Sequence, residues 1–73
     1  DQWVEVASFL DSEYNVINVL ATLSVDSKNA SENGGALVYI EKTNGWTNVW
    51  LANDGSGSKY IRFIILYRRH YYY

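Results

Sequence analysis

Hydrophobic and polar residues alternate along several stretches of the chain, and this alternation predicts β-strands. Between Val16 and Val25 the apolar residues on odd positions are Ile17, Val19, Ala21, Leu23 and Val25. Because strand side chains point alternately to the two faces of a sheet, this period predicts one buried face and one wet face. Another strand is predicted from Trp3 to Leu10, where a β-rich run ends at the turn-forming residues 11–13.

A hairpin is predicted around the dipeptide Asn44-Gly45, which separates two further β-rich runs. Its strands are expected at Ala36–Thr43 and Trp46–Ala52, because a type I′ turn requires positive φ at both central positions and Asn-Gly provides it. Residues 26–35 and 53–58 are rich in Ser, Asn, Asp and Gly without hydrophobic periodicity. These two segments are therefore predicted to be exposed loops.

The last predicted strand, from Lys59 to Tyr67, is apolar on both of its faces. Its apolar and aromatic residues are Tyr60, Ile61, Phe63, Ile64, Ile65, Leu66 and Tyr67. A strand with one face in water carries polar residues on that face, so both faces of this strand are expected to be covered. The whole pattern predicts an all-β domain of about five antiparallel strands, arranged as a small β-sandwich or a meander.

Length and cysteine content indicate that the domain needs help to be stable. The 73 residues suffice for one domain, spanning 1–73, of a size at which folding is marginal. With no cysteine and one histidine, disulfides and metal ions are not expected to provide the extra stability, and oligomerisation remains. The chain has no methionine and starts at Asp1, so we expect a fragment or a processed C-terminal part of a longer protein.

Composition and charge exclude several classes of function. Apolar residues make up 48% of the chain and charged residues 19%, which argues against disorder. A net charge of −2 gives no electrostatic reason to expect a nucleic-acid partner. No run approaches the roughly 18 apolar residues of a membrane-spanning helix, so membrane insertion is not expected.

The titratable residues show no catalytic or metal-binding pattern. His70 follows two arginines near the chain end, without a nucleophile at a recognisable spacing. The carboxylates are scattered singly along turns and strands, and no spacing suggests a glycosidase pair. Asp26, Asn29 and Glu32 share a loop, but their spacing matches no calcium-binding loop. We therefore expect a protein that is not an enzyme and uses neither a cofactor nor a metal.

Trp46, Asn48 and Trp50 occupy alternate positions of the fourth predicted strand and should share one face. Indole rings beside an amide suit carbohydrate, because sugar C–H groups pack on the rings while the amide bonds the hydroxyl groups. The alternative interpretation is that these tryptophans are core or subunit-interface anchors. Asn29 and Asn33 in the first long loop are further candidates for ligand contact.

A second set of candidates belongs to an interface between copies of the chain. These residues are large and apolar or aromatic, which is typical of interface cores. They are Trp3, Phe63, Ile65 and Tyr67.

The chain resembles the small β domains at the C-terminal ends of bacteriophage tail fibres and tailspikes. The resemblance covers most of the chain and lies in an opening Trp-x-x-hydrophobic strand, an alternating strand at 16–25, a glycine-marked bend, a Leu-x-Tyr strand and the Asn-Gly turn. The matching residues outside the alternating strand and the turn are Trp3, Val6, Ser8, Phe9, Gly34, Gly35, Leu37, Tyr39 and Ile40.

This resemblance implies a homotrimer whose loops attach to a host-surface glycan or protein, with the protein located on the virion or outside the cell. The first functional hypothesis is therefore a receptor-binding or trimerising tip domain. The alternative is a carbohydrate-binding module that uses the tryptophans of the fourth strand as its platform.

Overall fold

The structure is a computed structural model that describes residues 3–25, 28, 34–53 and 59–70, with only the backbone of Lys59. All regular structure in these ranges is β-strand, in five antiparallel strands that confirm the predicted all-β class. The strands are β1 (Val4–Leu10), β2 (Tyr14–Val25), β3 (Ala36–Thr43), β4 (Trp46–Asn53) and β5 (Lys59–Arg69).

Three strands form sheet A in the order β1-β4-β3, so β4 is its central strand. The most buried residues of the described chain all belong to this strand. They are Thr47, Val49, Leu51 and Ala52. A central strand is flanked on both sides within its own sheet, and its side chains are therefore the most completely enclosed.

The β3–β4 connection is the tight turn that the dipeptide predicts. Asn44 has φ of 52° and Gly45 has φ of 82°, so both central residues adopt the left-handed conformation of a type I′ turn. The turn sets the register of the hairpin, in which Thr43 is opposite Trp46 and Glu41 is opposite Asn48.

The remaining strands, β2 and β5, form the two-stranded sheet B. Val19, Ala21 and Leu23 are half-buried, as the alternation predicts. The prediction was wrong for Val25, the last residue of β2, which is exposed. It was also wrong for Ile17, which is a bulge residue between the paired Val16 and Asn18 and is exposed. A bulge adds one residue to the strand, so the alternation of side chains between the two faces shifts by one position there. On the N-terminal side of the bulge, the half-buried residue is therefore Val16, at an even position.

Sheets A and B pack against each other as a thin sandwich rather than a meander. At one end, the Phe9 ring of β1 lies 5.8 Å from Tyr14 and 5.4 Å from Tyr67, between ring centroids. Further along, residues of both sheets line a cavity of about 340 Å³, among them Leu51 and Phe63. The Cα atoms extend over 53 × 20 × 12 Å, so the sandwich is long but thin. Its small thickness explains why few of the described side chains are fully enclosed.

The chain crosses from sheet A to sheet B at residues 10–13, and three backbone hydrogen bonds hold this crossing. Glu13 N donates to Leu10 O at 2.9 Å and closes the turn. Asp11 N donates to Gly45 O in the hairpin turn, and His70 N donates to Glu13 O, both at 2.8 Å. The crossing, the hairpin turn and the end of β5 are thus joined at one end of the sandwich.

Candidate functional site

The two faces of sheet A differ in what covers them. Thr47, Val49 and Leu51 point toward sheet B and are buried, whereas Trp46, Asn48 and Trp50 alternate with them and lie on the opposite side. We call this opposite side the open face of sheet A. The residues that pair with its β4 members extend it across all three strands, and they are Glu5, Ser8, Leu10, Tyr39, Glu41 and Thr43.

A shallow pocket of about 410 Å³ lies on the open face, and we call it the aromatic pocket. Its lining residues are Trp3, Tyr39, Glu41 and Trp50. The ring centroids of Trp3 and Tyr39 are 6.0 Å apart, and the ring planes are inclined by 65°. The side chains of Trp3 and Tyr39 are 45% and 51% exposed, so two of the three aromatic walls remain accessible to a solute.

Each wall of the aromatic pocket is positioned by the strand pairing. Tyr39 and Glu41 are two residues apart on β3 and therefore point to the same side of the sheet. Trp50 of β4 is directly opposite Tyr39. Trp3 immediately precedes β1, whose Glu5 is opposite Trp50 on the other flank of β4.

Hydrogen bonds hold the polar groups of the open face in place. Glu41 Oε1 accepts from Trp50 Nε1 at 3.2 Å and from Asn48 Nδ2 at 3.1 Å. Ser8 Oγ donates to Asn48 Oδ1 and lies 3.3 Å from Glu5 Oε1. These bonds fix the edge of the Trp50 indole and the Glu41 carboxylate relative to each other, because both donors to the carboxylate come from β4.

The open face of sheet A carries negative charge within its three strands. Glu5 and Glu41 lie on it, and the one basic residue of these strands is Lys42. Lys42 is opposite Thr47, on the other side of the sheet, and its Nζ lies 3.6 Å from Asp11 Oδ1. The aromatic pocket therefore combines three aromatic walls with an acidic surrounding.

The predicted platform residues have different environments in the structure. Trp50 is a wall of the aromatic pocket, and Asn48 hydrogen-bonds to Ser8 and Glu41. Trp46 is opposite Leu10 and Thr43, four residues from Trp50, which corresponds to about 13 Å along a strand. The candidates Asn29 and Asn33 lie outside the described residues, as does most of both predicted loops.

The candidate interface residues lie on two different surfaces. Phe63 and Ile65 of β5 pair with Ala21 and Val19 on the side of sheet B that faces sheet A. Tyr67 lies on the same side, with its ring 5.5 Å from that of Tyr14. Trp3, in contrast, is part of the aromatic pocket on sheet A.

The other side of sheet B carries an exposed aliphatic patch, which we call the outer face of sheet B. Leu20 is opposite Ile64, and Leu66 follows two residues further along β5 on the same side. Ile64 is 67% exposed and Leu66 is 56% exposed. Aliphatic side chains grouped on one side of a strand pair are a feature of interaction surfaces.

Sequence reasoning missed Tyr39 and Glu41 as site residues, although the hairpin signal could have found them. A two-residue Asn-Gly loop places Thr43 opposite Trp46, and counting back two positions at a time places Glu41 opposite Asn48 and Tyr39 opposite Trp50. Trp3 could not be found in this way, since β1 and β4 are far apart in the sequence.

The described residues include no group of three or more His, Asp or Glu side chains that could hold a metal ion. They also include no helix long and apolar enough to cross a membrane. Comparison with family models, with curated proteins and with solved structures finds no match to this chain.

Proposed function

We propose that this domain binds carbohydrate without catalysis, through the aromatic pocket on the open face of sheet A. One observation carries the proposal: Trp3, Tyr39 and Trp50 surround a pocket of about 410 Å³ beside the hydrogen-bonding side chains of Glu41 and Asn48. Exposed aromatic rings next to fixed polar groups are what a sugar ring requires, since its C–H face is apolar and its edge carries hydroxyl groups.

The polar groups beside the pocket are suited to orient a sugar ring. Glu41 uses Oε1 for its two internal hydrogen bonds, and a carboxylate has about four acceptor positions over its two oxygens, so capacity for a sugar hydroxyl remains. Because the internal bonds already hold the carboxylate, a ligand does not have to order this side chain when it binds. Such preorganisation reduces the entropic cost of binding.

Titration of tryptophan fluorescence with a panel of oligosaccharides that includes both neutral sugars and amino sugars tests the proposal. Trp3→Ala removes a wall of the pocket and is expected to weaken binding about tenfold, the size of a lost aromatic stacking contact. Trp46→Ala is the matched control, because it removes the same residue type from the same face outside the pocket, and it is expected to change affinity less than about twofold.

A larger loss with Trp46→Ala than with Trp3→Ala would favour the flat platform of β4 over the pocket. If no member of the panel changes the fluorescence or the amide spectrum of the protein, the carbohydrate proposal is wrong. Circular dichroism of each variant separates a binding defect from a folding defect.

As a second proposal, copies of the chain assemble through the outer face of sheet B, as in the trimeric tip of a fibre exposed outside the cell or on a virion. The exposed Leu20, Ile64 and Leu66 favour this proposal, because a small thin domain gains stability by covering such a patch. Assembly would also present several aromatic pockets together, so that weak individual contacts add to strong attachment.

Light scattering tests the second proposal against the monomer mass of 8.4 kDa. We expect a mass near three times that value and a thermal midpoint that rises with protein concentration, since mass action stabilises an assembled fold. The double variant Ile64→Thr/Leu66→Thr keeps strand-forming residues and is expected to remove both effects. A wild-type monomer with a concentration-independent midpoint would refute assembly.

A further inference from the structure

We propose that the aromatic pocket is selective for a glycan that carries a positively charged ammonium substituent, with Glu41 as the residue that sets this preference. The inference rests on the proposed carbohydrate function and specifies its ligand class. Three features of the pocket support it: the arrangement of its aromatic walls, the position of its carboxylate and the charge of the surrounding face.

The pocket offers more than one aromatic ring to a ligand. Trp3 and Tyr39 are inclined by 65° with centroids 6.0 Å apart, and Trp50 lies opposite Tyr39 on the neighbouring strand. Flat stacking of one sugar ring needs one exposed aromatic face, whereas rings inclined to one another can contact a rounded group from several sides. An ammonium group within about 6 Å of a ring centroid is attracted by the ring quadrupole, most strongly by tryptophan.

The carboxylate of Glu41 is part of the wall and is fixed beside the indole of Trp50. Its Oε1 accepts hydrogen bonds from Trp50 Nε1 and Asn48 Nδ2, so it cannot swing away without losing both. A partly buried negative charge in an aromatic wall favours a ligand with a compensating positive charge. A neutral sugar would leave the Glu41 carboxylate without an ionic partner in the pocket.

The protein does not provide that partner from the strands of sheet A. Lys42 is the basic residue of these strands and pairs with Asp11 on the opposite side. Glu5 lies on the open face across from Trp50 and adds a second negative charge. Charge complementarity therefore selects a cation as the occupant, and the aromatic walls select an organic one.

Two trisaccharides with the same ring and linkage test the inference, namely β-1,4-linked glucosamine and its N-acetylated counterpart. At mildly acidic pH, where the measurement is made, the amino groups of the first are protonated and positive, whereas the acetamido groups of the second are neutral. At low salt, we expect the glucosamine trisaccharide to bind the full chain at least about tenfold more tightly than the acetylated trisaccharide does. This preference is expected to shrink as the salt concentration rises. The salt series needs no variant, so the test does not depend on the folding of any mutant.

Glu41→Gln tests the assigned residue, because glutamine keeps an oxygen that can accept from Trp50 and Asn48 while the charge is removed. We expect the ratio of the two affinities to fall to near one in the variant, whatever change the variant makes in affinity for the acetylated trisaccharide. Glu13→Gln, the same change at an exposed turn residue, is the matched control and should leave the preference intact.

The outcomes separate this inference from the broader carbohydrate proposal. Equal binding of both trisaccharides overturns the cation preference and leaves carbohydrate binding standing. A preference that persists in Glu41→Gln overturns the role of Glu41. Binding of choline and of its neutral analogue 3,3-dimethylbutanol is measured as a control without sugar. If choline binds and neither trisaccharide does, the proposal that the ligand is a glycan is overturned.

Discussion

Sheets A and B are built from similar alternating strands, yet only sheet A encloses side chains completely. In sheet A, β4 lies between β1 and β3 and contributes Thr47, Val49 and Leu51 to the centre of the sandwich. In sheet B both strands are edge strands, and their inward residues such as Val19 and Ile65 are only half-buried. Alternation selects the face that turns inward, whereas the number of neighbouring strands determines how deeply that face is buried.

The uncovered faces of the two sheets differ in chemistry as well. The open face of sheet A has exposed aromatic rings beside fixed polar groups, including Glu41 and Asn48. The outer face of sheet B presents Leu20, Ile64 and Leu66. Aromatic and polar groups together suit a small hydrophilic ligand, whereas an aliphatic patch suits another protein surface. This contrast assigns ligand binding and assembly to different sheets in our proposals.

The largest expected effect comes from truncating a buried leucine of sheet A, and an exposed leucine of sheet B provides the comparison. Leu51 is 5% exposed, and Leu51→Ala is expected to lower the free energy of unfolding by about 2–5 kcal/mol, through lost transfer energy and a residual cavity. Leu66→Ala is the matched control on the outer face of sheet B, where a change within about 0.5 kcal/mol is expected in dilute protein. Urea denaturation followed by circular dichroism measures both, and equal losses would contradict the contrast between the sheets.

A smaller loss is expected from the one polar residue among the most buried side chains of sheet A. Thr47 is buried, and its Oγ1 donates to Asp11 Oδ1 at 2.5 Å. Thr47→Val keeps the shape and removes this bond to a charged acceptor, so we expect a loss of about 1.5–3 kcal/mol by the same measurement.

Lys42→Gln is the control for Thr47→Val, since it removes the other partner of the Asp11 carboxylate. Exposed ion pairs contribute little, and a loss below about 1 kcal/mol is expected. If Lys42→Gln costs more than Thr47→Val, the carboxylate stabilises the fold through the ion pair and the hydrogen bond is secondary.

The hairpin turn distinguishes sheet A, which has a local connection, from sheet B, whose strands are distant in the sequence. Gly45 has φ of 82°, and a Cβ there would meet nothing within 4 Å, so Gly45→Ala adds backbone strain without a clash. We expect a loss of about 1–2 kcal/mol in thermal or urea unfolding. Asn44→Gly at the neighbouring turn position should stay within about 0.5 kcal/mol, and an equal loss there would argue against the strain explanation.

The smallest expected effect concerns the aromatic contact that joins the two sheets. Phe9 of sheet A and Tyr67 of sheet B have centroids 5.4 Å apart with planes inclined by 43°. A double-mutant cycle with Phe9→Leu and Tyr67→Leu should give a coupling energy of about 0.5–1.5 kcal/mol. Phe9→Leu combined with Trp46→Leu is the control cycle. If its coupling is as strong as that of Phe9 with Tyr67, the measured energy is not specific to the contact between the two sheets.

Local sequence signals predicted the strands well and their limits less well. The strand Ala36–Thr43 and the Asn44-Gly45 turn are confirmed because both depend on near neighbours. The predicted start of the second strand at Val16 was late, since Tyr14 and Asn15 continue β2 by pairing with Arg69 and Arg68 of β5. Strand partners that are more than 50 residues apart in the sequence leave no local pattern that marks where either strand begins or ends.

Local residue patterns were enough to predict the all-β class, the hairpin register and the alternation that places Trp46, Asn48 and Trp50 on the side opposite Thr47, Val49 and Leu51. The pairing of β1 with β4 and of β2 with β5, the bulge at Ile17 and the position of Trp3 in the aromatic pocket became known from the folded chain. This division arises because turn geometry and side-chain period act between near neighbours in the sequence. The choice of a distant strand depends instead on the burial that the whole sandwich achieves.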